Sequence, residues 1–375
     1  MRLKQIMKKV LITMSGGVDS SVAAALLKEQ GYDVTGVTMK IWGGQTSSEV
    51  SVHHGCYGPG EAEDIEDARK VAQQLDIPFH VLNLTGEYQS VVLDYFSREY
   101  LSGRTPNPCV RCNPNIKFGA LIEKARRSGL VFDAVASGHY ARIEYDEKER
   151  RYILKKAKDL TKDQSYFLSF LSQNQLAQLI FPLGESTKTE VRAAANRLCL
   201  HIAAKPDSQN FVCGDYTSLF KTESNTGPIL DKAGNLLGQH EGIQFYTIGQ
   251  RKGLGISASN PLYVTALDPI KNAVIVGKKE DLFRDEFIVS NLNWIAIGDL
   301  NQPLEMNVKI RSSHKDSAAR VTPLNNGDVL VQLKEAQSAI TPGQTAVFYW
   351  DEVVTGGGII EQVSTKIGTD SGAAG

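Results

Sequence analysis

Met14-Ser-Gly-Gly-Val-Asp-Ser-Ser21 is the stretch of sequence that decides the fold. It follows the apolar run Lys8 to Met14, which has the length of a buried strand, and it leads into Asp19 to Gln30, whose apolar residues have helical spacing. Gly31 is placed to end that helix. Because backbone N–H groups and the positive end of a helix dipole converge on such a loop, it favours a phosphate group. The sequence therefore predicts a strand, a phosphate loop and a helix.

The residue types in this loop suit the binding of phosphate. Gly16 and Gly17 permit positive φ and a close approach of the backbone to a ligand. Asp19 could hold Mg²⁺ or cap the helix. Three hydroxyl groups can donate hydrogen bonds to oxygens, those of Ser15, Ser20 and Ser21. The simpler alternative, a capped helix after a tight glycine turn, stays open on these residues alone.

The chain around the loop alternates between strand-like and helix-like patterns. Val34 to Met39 and Phe79 to Leu84 read as strands, and Ala62 to Leu75 between them has apolar residues on one helical face. Strands that alternate with helices imply a parallel sheet covered on both sides. Further along, the pattern predicts a strand at Asp133 to Ala136 and helices at 87–101, 116–127, 164–180 and 188–199.

After Asp215 the pattern changes to short β-rich runs separated by glycine-rich turns, for example Leu262 to Leu267 and Ala273 to Gly277. Two small β modules fit this pattern best. We therefore expect the following division: a first domain at 1–212 that carries the phosphate loop, a small central β domain at 213–284, a second β module at 285–364 and a disordered tail at 365–375.

Composition narrows the class of protein. The chain has 375 residues and a net charge of −1. No run reaches the ~20 apolar residues of a membrane span, and Val10 to Met14 is too short for a signal-peptide core. We therefore expect a soluble cytoplasmic protein without a membrane partner. The segment Arg104 to Lys205 holds 18 Lys and Arg against 10 Asp and Glu, which fits a solvated surface or a face that docks on a phosphate backbone.

Two of the five cysteines lie in Pro106-Asn-Pro-Cys109-Val-Arg-Cys112-Asn-Pro114, a proline-rich turn before a helical run that begins near Ile116. Five cysteines in a long chain without a secretion signal do not indicate a disulfide framework. Nearby cations and the helix dipole favour thiolate over thiol at both positions, the cations being Arg104, Arg111 and Lys117. Structural zinc is the alternative, but the sequence has no second Cys-x-x-Cys pair to complete four ligands.

The other cysteines are predicted one by one. Cys213 lies in a polar loop at the domain boundary and is the natural third partner for Cys109 and Cys112. Cys199, between two leucines, is expected to be a small buried hydrophobic residue, and the role of Cys56 is left open. The adjacent loop residues His53 and His54 are expected to face solvent rather than to bind metal.

Several strings together identify a family. Ser-Gly-Gly-Val-Asp-Ser resembles the signature of the PP-loop ATP pyrophosphatases, and no Walker A string is present to suggest γ-phosphoryl transfer. Over roughly residues 8–362 the chain resembles the tRNA-specific 2-thiouridylases. The strings that carry this resemblance, besides the phosphate loop, include Gly103-Arg-Thr-Pro-Asn-Pro108, Ser137-Gly-His-Tyr-Ala-Arg142, Lys162-Asp-Gln-Ser-Tyr-Phe167 and Tyr246-Thr-Ile-Gly-Gln-Arg-Lys-Gly-Leu-Gly255.

The resemblance implies a fold and a reaction. The fold would be a Rossmann-like, adenine nucleotide alpha hydrolase-like PP-loop domain followed by two small β modules, the last a β-barrel. ATP, with Mg²⁺, would adenylate the C2 oxygen of the wobble uridine in the tRNA anticodon loop, and sulfur would then displace AMP. ATP would be held by Thr13, Met14, Ser15, Gly16, Gly17, Val18, Asp19, Ser20, Met39 and Gly138. The tRNA would be met by Asn107, Pro108, Cys109, His139, Lys162, Asp163, Gln164, Arg311, Ser312 and Gln344.

The resemblance also implies roles for the cysteines. Cys213 would carry the incoming persulfide from a sulfur-donor protein or a cysteine desulfurase relay, and Cys112 would free the sulfur. Many family members have Asp where this chain has Cys109. Cys109, Cys112 and Cys213 could instead ligate a [4Fe-4S] cluster that holds the sulfide. Whether Cys112 and Cys213 form a disulfide stays open, and so do two rival functions: a PP-loop ligase that makes a C–N bond, and a nonenzymatic protein that binds RNA and relays sulfur.

Overall fold

The computed structural model describes residues 8–44, 55–207, 210–212, 216–220 and 225–363. Cys213, His53, His54 and the predicted tail at 365–375 lie outside the described residues. The strands of the first part of the chain are β1 (Lys9–Thr13), β2 (Asp33–Lys40), β3 (Gly55–Tyr57), β4 (Phe79–Asn83), β5 (Ala134–Ser137), β6 (Ala141–Asp146), β7 (Arg151–Lys156), β8 (Leu179–Ile180) and β9 (Asn210–Val212).

Helices alternate with these strands. The α-helices are α1 (Val18–Glu29), α2 (Glu61–Gln74), α3 (Thr85–Tyr88), α4 (Asp94–Leu101), α5 (Pro108–Cys112), α6 (Leu121–Arg127), α7 (Gln173–Leu176) and α8 (Lys188–Arg197). Two π-helical segments join neighbouring α-helices without a break, Gln89–Leu93 between α3 and α4 and Asn113–Ala120 between α5 and α6. Such wide turns are uncommon and are often found at functional sites.

The central sheet is parallel, with strand order β4-β2-β1-β5-β8. Alternate residues of β1 face opposite sides: Val10 and Ile12 pack against α1, α2 and α8, whereas Leu11 packs against the helices between 85 and 127. Because both faces are covered, the strand is buried from Val10 to Thr13. The chain leaves β1 to build one side of the sheet and returns to build the other, so the carboxyl ends of β1 and β5 form a topological switch point, where open α/β sheets bind ligands.

Three helical predictions need correction. The predicted helix at 87–101 is interrupted by a π-helical segment, and the one predicted from Ile116 begins at Pro108 instead. The prediction at 164–180 is wrong, because this segment consists of a 3₁₀ turn at Ser165–Leu168, the short helix α7 and strand β8. Its apolar residues have helical spacing, yet several of them are buried among strands of the later β-barrel.

The second part of the chain is built from strands: β10 (Gly227–Asp231), β11 (Leu236–His240), β12 (Tyr263–Asp268), β13 (Ala273–Gly277), β14 (Phe283–Trp294), β15 (Leu304–Lys309), β16 (Ser317–Pro323), β17 (Val329–Ser338), β18 (Thr345–Trp350) and β19 (Val353–Val363). The strands β10 to β13 form a small sheet in the order β11-β10-β13-β12. The six strands β14 to β19 close into an antiparallel barrel, since β14 pairs with both β17 and β19. The predicted fold class is therefore confirmed.

One hairpin was not predicted. The antiparallel strands β6 and β7 extend the barrel sheet, because β7 pairs with β19 through Val353 and Val354. Two further contacts hold the barrel near the thiol-bearing turn: the Thr105 N–H donates to the carbonyl oxygen of Pro342 at 2.9 Å, and the Gln344 side-chain amide donates to the carbonyl oxygen of Thr105 at 2.9 Å. The barrel and the first domain are thus joined at two places, at β7 and at Thr105.

Candidate functional site

The phosphate loop depends on Gly16. This residue has φ of +73°, and a Cβ atom there would lie 2.1 Å from the backbone oxygen of Asp64 at the start of α2. Both the conformation and the close approach require glycine. Within the loop, the Ser20 hydroxyl oxygen accepts from Ser15 N–H at 3.1 Å, and the Ser21 hydroxyl donates to the carbonyl oxygen of Gly17 at 2.8 Å. Ser21 is fully buried, so its hydroxyl shapes the loop rather than facing a ligand.

Gly138 brings β5 against the first turn of α1. A Cβ atom at this position would lie 2.6 Å from the backbone nitrogen of Ser20. Its role in the described structure is therefore to let the end of β5 approach the phosphate loop closely.

A cavity of about 390 Å³ opens at the carboxyl ends of the strands. It is lined by most of the residues predicted to hold ATP: Thr13, Met14, Ser15, Gly17, Val18, Asp19, Ser20, Met39 and Gly138. His139, Lys162 and Gln164, predicted to meet the tRNA, line the same cavity. Residues that sequence analysis did not assign to the site also line it, among them Cys56, Glu61, Asp64, Lys117, Lys205 and Asp207. Their positions depend on segments far apart in sequence, and no local pattern marks them.

The two predicted thiols lie in α5, which Asn107 caps by accepting from Cys109 N–H at 3.1 Å. Cys109 and Cys112 are three residues apart and so lie on neighbouring positions of one helical face. Cys112 packs in the apolar cluster that contains Tyr57 and Phe211. Burial raises the pKa of the Cys109 thiol to about 12 and that of the Cys112 thiol to about 11. Both groups are therefore thiols at neutral pH.

The expectation that cations favour thiolate at these positions is wrong for this structure. The Arg104 guanidinium is taken up by ion pairs with Glu99 and Glu361, each at 2.7 Å. Arg111 instead lies over the ring of Tyr95, with 5.0 Å from the guanidinium carbon to the ring centroid. Lys117 alone of the three lowers the pKa values of the thiols, and its effect is smaller than that of burial.

Alkylation of Cys112 by a neutral thiol reagent should accelerate about tenfold per pH unit between about pH 7 and pH 9, because only the thiolate reacts and its pKa lies above this range. Peptide mass spectrometry after timed labelling measures the rate. The exposed Cys199 in the same digest serves as a check on the reagent. A rate that levels off below about pH 8 would contradict the raised pKa.

The remaining three cysteines have different outcomes. Cys199 was predicted to be buried, but it is exposed and has φ of +50° in the turn after α8. Cys56, left open by the sequence, lies in β3 and lines the cavity. Cys213 lies outside the described residues. The residue that precedes it, Val212, pairs with Tyr57 between strands β9 and β3, and Phe211 packs against the same apolar cluster as Cys112.

His139 is buried between the rings of Phe118 and Phe181, and its Nδ1 lies 2.6 Å from the Ser137 hydroxyl. Burial, with a contribution from Lys117, lowers its pKa well below the usual range, so the imidazole is neutral. A neutral imidazole can accept a hydrogen bond from an uncharged base or donate one to it, and it adds no charge to the cavity.

Other residues predicted to meet tRNA make internal contacts. Asp163 accepts from Ala157 N–H at 3.0 Å and from the Ser165 hydroxyl at 2.9 Å. Arg311 donates to the carbonyl oxygen of Ala339 and, at 3.1 Å, to the Thr341 hydroxyl. In this structure these residues hold loops in place, and their contact with RNA stays a prediction, as it does for Asn107, Pro108, Ser312 and Gln344.

No group of three or more His, Cys, Asp or Glu side chains in the described ranges is arranged to hold a metal ion. Within those ranges, too, no helix is both long and apolar enough to cross a membrane.

The chain is an ATP-binding α/β protein of the PP-loop type. This class is defined by a parallel sheet with a glycine-containing phosphate loop at its switch point, which is followed here by two β modules. Three family models match along the chain: a tRNA methyl transferase HUP domain at residues 8–213, a tRNA methyl transferase PRC-barrel domain at 220–278 and an Aminomethyltransferase beta-barrel domain at 284–360. The chain belongs to the family of tRNA-specific 2-thiouridylases, as the resemblance predicted, because its curated relatives match it over nearly their whole length.

Two of these relatives illustrate the match. A tRNA-specific 2-thiouridylase MnmA from Endomicrobium trichonymphae is 47% identical over 355 residues, covering 94% of this chain and 98% of that protein. Another, from Clostridioides difficile (strain 630), is 47% identical over 363 residues, covering 95% and 98%. Among solved structures, NMN synthetase from Francisella tularensis is 14% identical, covers 57% of this chain and 68% of its own, and has a TM-score of 0.32, too low to define the fold.

Proposed function

We propose that this chain is an ATP-dependent tRNA-uridine 2-sulfurtransferase. ATP adenylates the C2 oxygen of the wobble uridine with release of pyrophosphate, and sulfur then displaces AMP to give 2-thiouridine. The observation that carries this proposal is that the helix with Cys109 and Cys112 continues without a break into the segment Asn113–Ala120, whose Lys117 lines the cavity at the phosphate loop. The thiols and the wall of the cavity thus belong to one continuous helical segment.

The cavity suits the first step. An oxygen at C2 of uridine is a poor leaving group, and adenylation converts it into a good one. The loop between β1 and α1 offers backbone N–H groups to the phosphates. We assign His139, Lys162 and Gln164 to the target base, because they line the same cavity as the phosphate loop. A base in an anticodon loop must leave its stack to enter such a cavity.

For the second step we propose that Cys213 carries the persulfide, whose outer sulfur attacks C2 of the adenylated uridine and displaces AMP. Cys112 then attacks the inner sulfur of Cys213, which breaks the bond to the transferred sulfur and leaves a Cys112–Cys213 disulfide that a thiol reductant must reduce before the next turnover. The described residues next to Cys213 support this assignment, since Phe211 packs in the cluster that contains Cys112. The raised pKa of Cys112 means that its proton must leave when the thiol attacks. Lys117 is the nearby charge that favours the thiolate formed. The sulfur itself is proposed to come from a donor protein or a cysteine desulfurase relay.

Two cofactors were predicted besides ATP. The Asp19 carboxylate already accepts hydrogen bonds from an ammonium group and a phenol, so it does not fit the predicted role of Mg²⁺ ligand; Mg²⁺ commonly enters such sites on the nucleotide phosphates. The predicted [4Fe-4S] cluster gains no support from the described residues, which contain only two of its three cysteines. Iron and acid-labile sulfide analysis of anaerobically purified protein tests it: full thiolation by an iron-free protein would exclude the cluster.

The names of the relatives and of the family models predict different products, a thiolated and a methylated nucleoside. Incubation of the protein with ATP, unmodified tRNA and a donor of persulfide sulfur distinguishes them. We expect 2-thiouridine, AMP and pyrophosphate in equal amounts, with none formed when ATP is omitted. A methylated nucleoside, or a C–N linked product, would contradict the proposal, and the absence of pyrophosphate would favour a nonenzymatic RNA-binding protein.

A further inference from the structure

Asp19, in the first turn of α1, has partners that no sequence pattern suggests. Both of its carboxylate oxygens accept from the Lys188 ammonium group, at 2.7 and 2.9 Å. The Tyr140 hydroxyl donates to the same carboxylate at 2.8 Å. The carboxylate does not cap α1, which has no side-chain cap. Its lone pairs are therefore used mainly to hold one lysine.

Lys188 is held firmly in this position. It is the first residue of α8, whose start is fixed by a capping box between Thr187 and Glu190. Its side chain is only 13% exposed, and its ammonium group also contacts Asp207 at 2.7 Å. A buried ammonium group is costly unless it is paired, and here two carboxylates compensate it.

The two carboxylates lie where a nucleotide must bind. Asp19 and Asp207 both line the cavity, whereas Lys188, which pairs with both, is not among its lining residues. Asp207 has two further cations, Lys162 at 2.9 Å and Arg192 at 3.1 Å. For Asp19, by contrast, the ion pairs of the described residues include a single cation, Lys188. Without Lys188, Asp19 would present an uncompensated negative charge to the phosphates of ATP.

We propose that Lys188 is a positioning residue for ATP: it neutralises Asp19 and fixes it beside the phosphate loop, so that the triphosphate meets no free carboxylate there. Asp19 is then the anchor of a lysine and not a ligand of Mg²⁺. The inference rests on the ATP-binding part of the proposed function, and its test needs neither tRNA nor sulfur. Its failure can therefore be told apart from a failure of the thiolation proposal.

The test measures equilibrium binding of a non-hydrolysable ATP analogue, with Mg²⁺, to full-length variants. Lys188→Met should weaken binding roughly tenfold to fiftyfold, the repulsion expected between charges several ångströms apart near a protein surface. Lys188→Arg should bind nearly as the unchanged protein does. Asp19→Asn should bind equally well or more tightly, and the double variant Asp19→Asn, Lys188→Met should recover most of the lost affinity.

Arg197→Met is the matched control, because Arg197 also joins α8 to α1, through Glu29 at 2.9 Å on the exposed side. It should leave the affinity unchanged. If Arg197→Met weakens binding as much as Lys188→Met, Lys188 merely docks the helix and the proposal is wrong. Weaker binding by Asp19→Asn, or no recovery in the double variant, would identify Asp19 as a metal or phosphate-site ligand and would also overturn it. Should Lys188→Met fail to fold, Asp19→Asn and the double variant still decide.

Discussion

Replacing Gly16 by alanine is expected to abolish ATP binding and, with it, pyrophosphate release. The new Cβ atom would lie 2.1 Å from the backbone oxygen of Asp64, and backbone atoms cannot move aside as a flexible side chain can. The residue would also be forced into a left-handed conformation, which costs about 1–2 kcal/mol for a residue with a Cβ atom. The loop must therefore move away from α2. We expect the affinity for an ATP analogue to fall by on the order of a hundredfold or more, measured by titration.

The variant Gly31→Ala separates the effect of the steric contact from the effect of the left-handed backbone conformation. Gly31 also has positive φ, +84°, but no heavy atom lies within 4 Å of the position of a new Cβ atom. This variant should lose stability in thermal unfolding and still bind ATP as the unchanged protein does. If Gly16→Ala binds ATP no worse than Gly31→Ala, the contact between the phosphate loop and α2 does not shape the nucleotide site.

Replacing Cys112 by serine is expected to stop sulfur transfer while leaving adenylation in place. A serine hydroxyl has nearly the size of the thiol, so the packing of this side chain against its apolar cluster should persist. It cannot act as a sulfur nucleophile, and formation of 2-thiouridine should fall at least about a thousandfold. Pyrophosphate release in the presence of tRNA should continue for one turnover, because the nucleotide cavity does not include Cys112.

The exposed Cys199 provides the control for this experiment, and Cys199→Ser should keep both activities. Single-turnover assays that follow pyrophosphate and 2-thiouridine in the same sample separate the steps. If Cys112→Ser forms 2-thiouridine at the original rate, the assignment of Cys112 fails. If it loses pyrophosphate release as well, the two steps share a residue that we assign to only one.

Local patterns in the sequence predicted the strand, the loop and the helix on which the candidate nucleotide site is built. The strand, loop and helix from Lys8 to Gln30 are adjacent in sequence, and the side-chain hydrogen bonds of Ser20 and Ser21 inside the loop join residues no more than 5 apart. The parallel sheet follows from the alternation of strands and helices. The closed barrel was predicted from the family resemblance, and the pairing of β14 with β17 and β19 bears it out.

The thiol environment could not be predicted, because it is decided by distant residues. Arg104 stands five residues before Cys109 and was expected to act on it, yet Glu361 of the barrel takes up its charge. The hairpin β6 and β7 was missed for a similar reason, since its partner β19 lies some 200 residues further along the chain. Lys188 likewise reaches Asp19 only because α8 packs on α1 in the folded protein.

Transfer of sulfur from the protein's own cysteines to tRNA tests the central claim most directly. The protein is loaded with isotopically labelled sulfane sulfur, freed of unbound sulfide, and mixed with tRNA in the presence or absence of ATP. We expect the label to leave the protein and appear at C2 of the wobble uridine only when ATP is present, in an amount equal to the AMP formed. Label that stays on the protein while AMP accumulates, or that reaches uridine without ATP, would contradict the account.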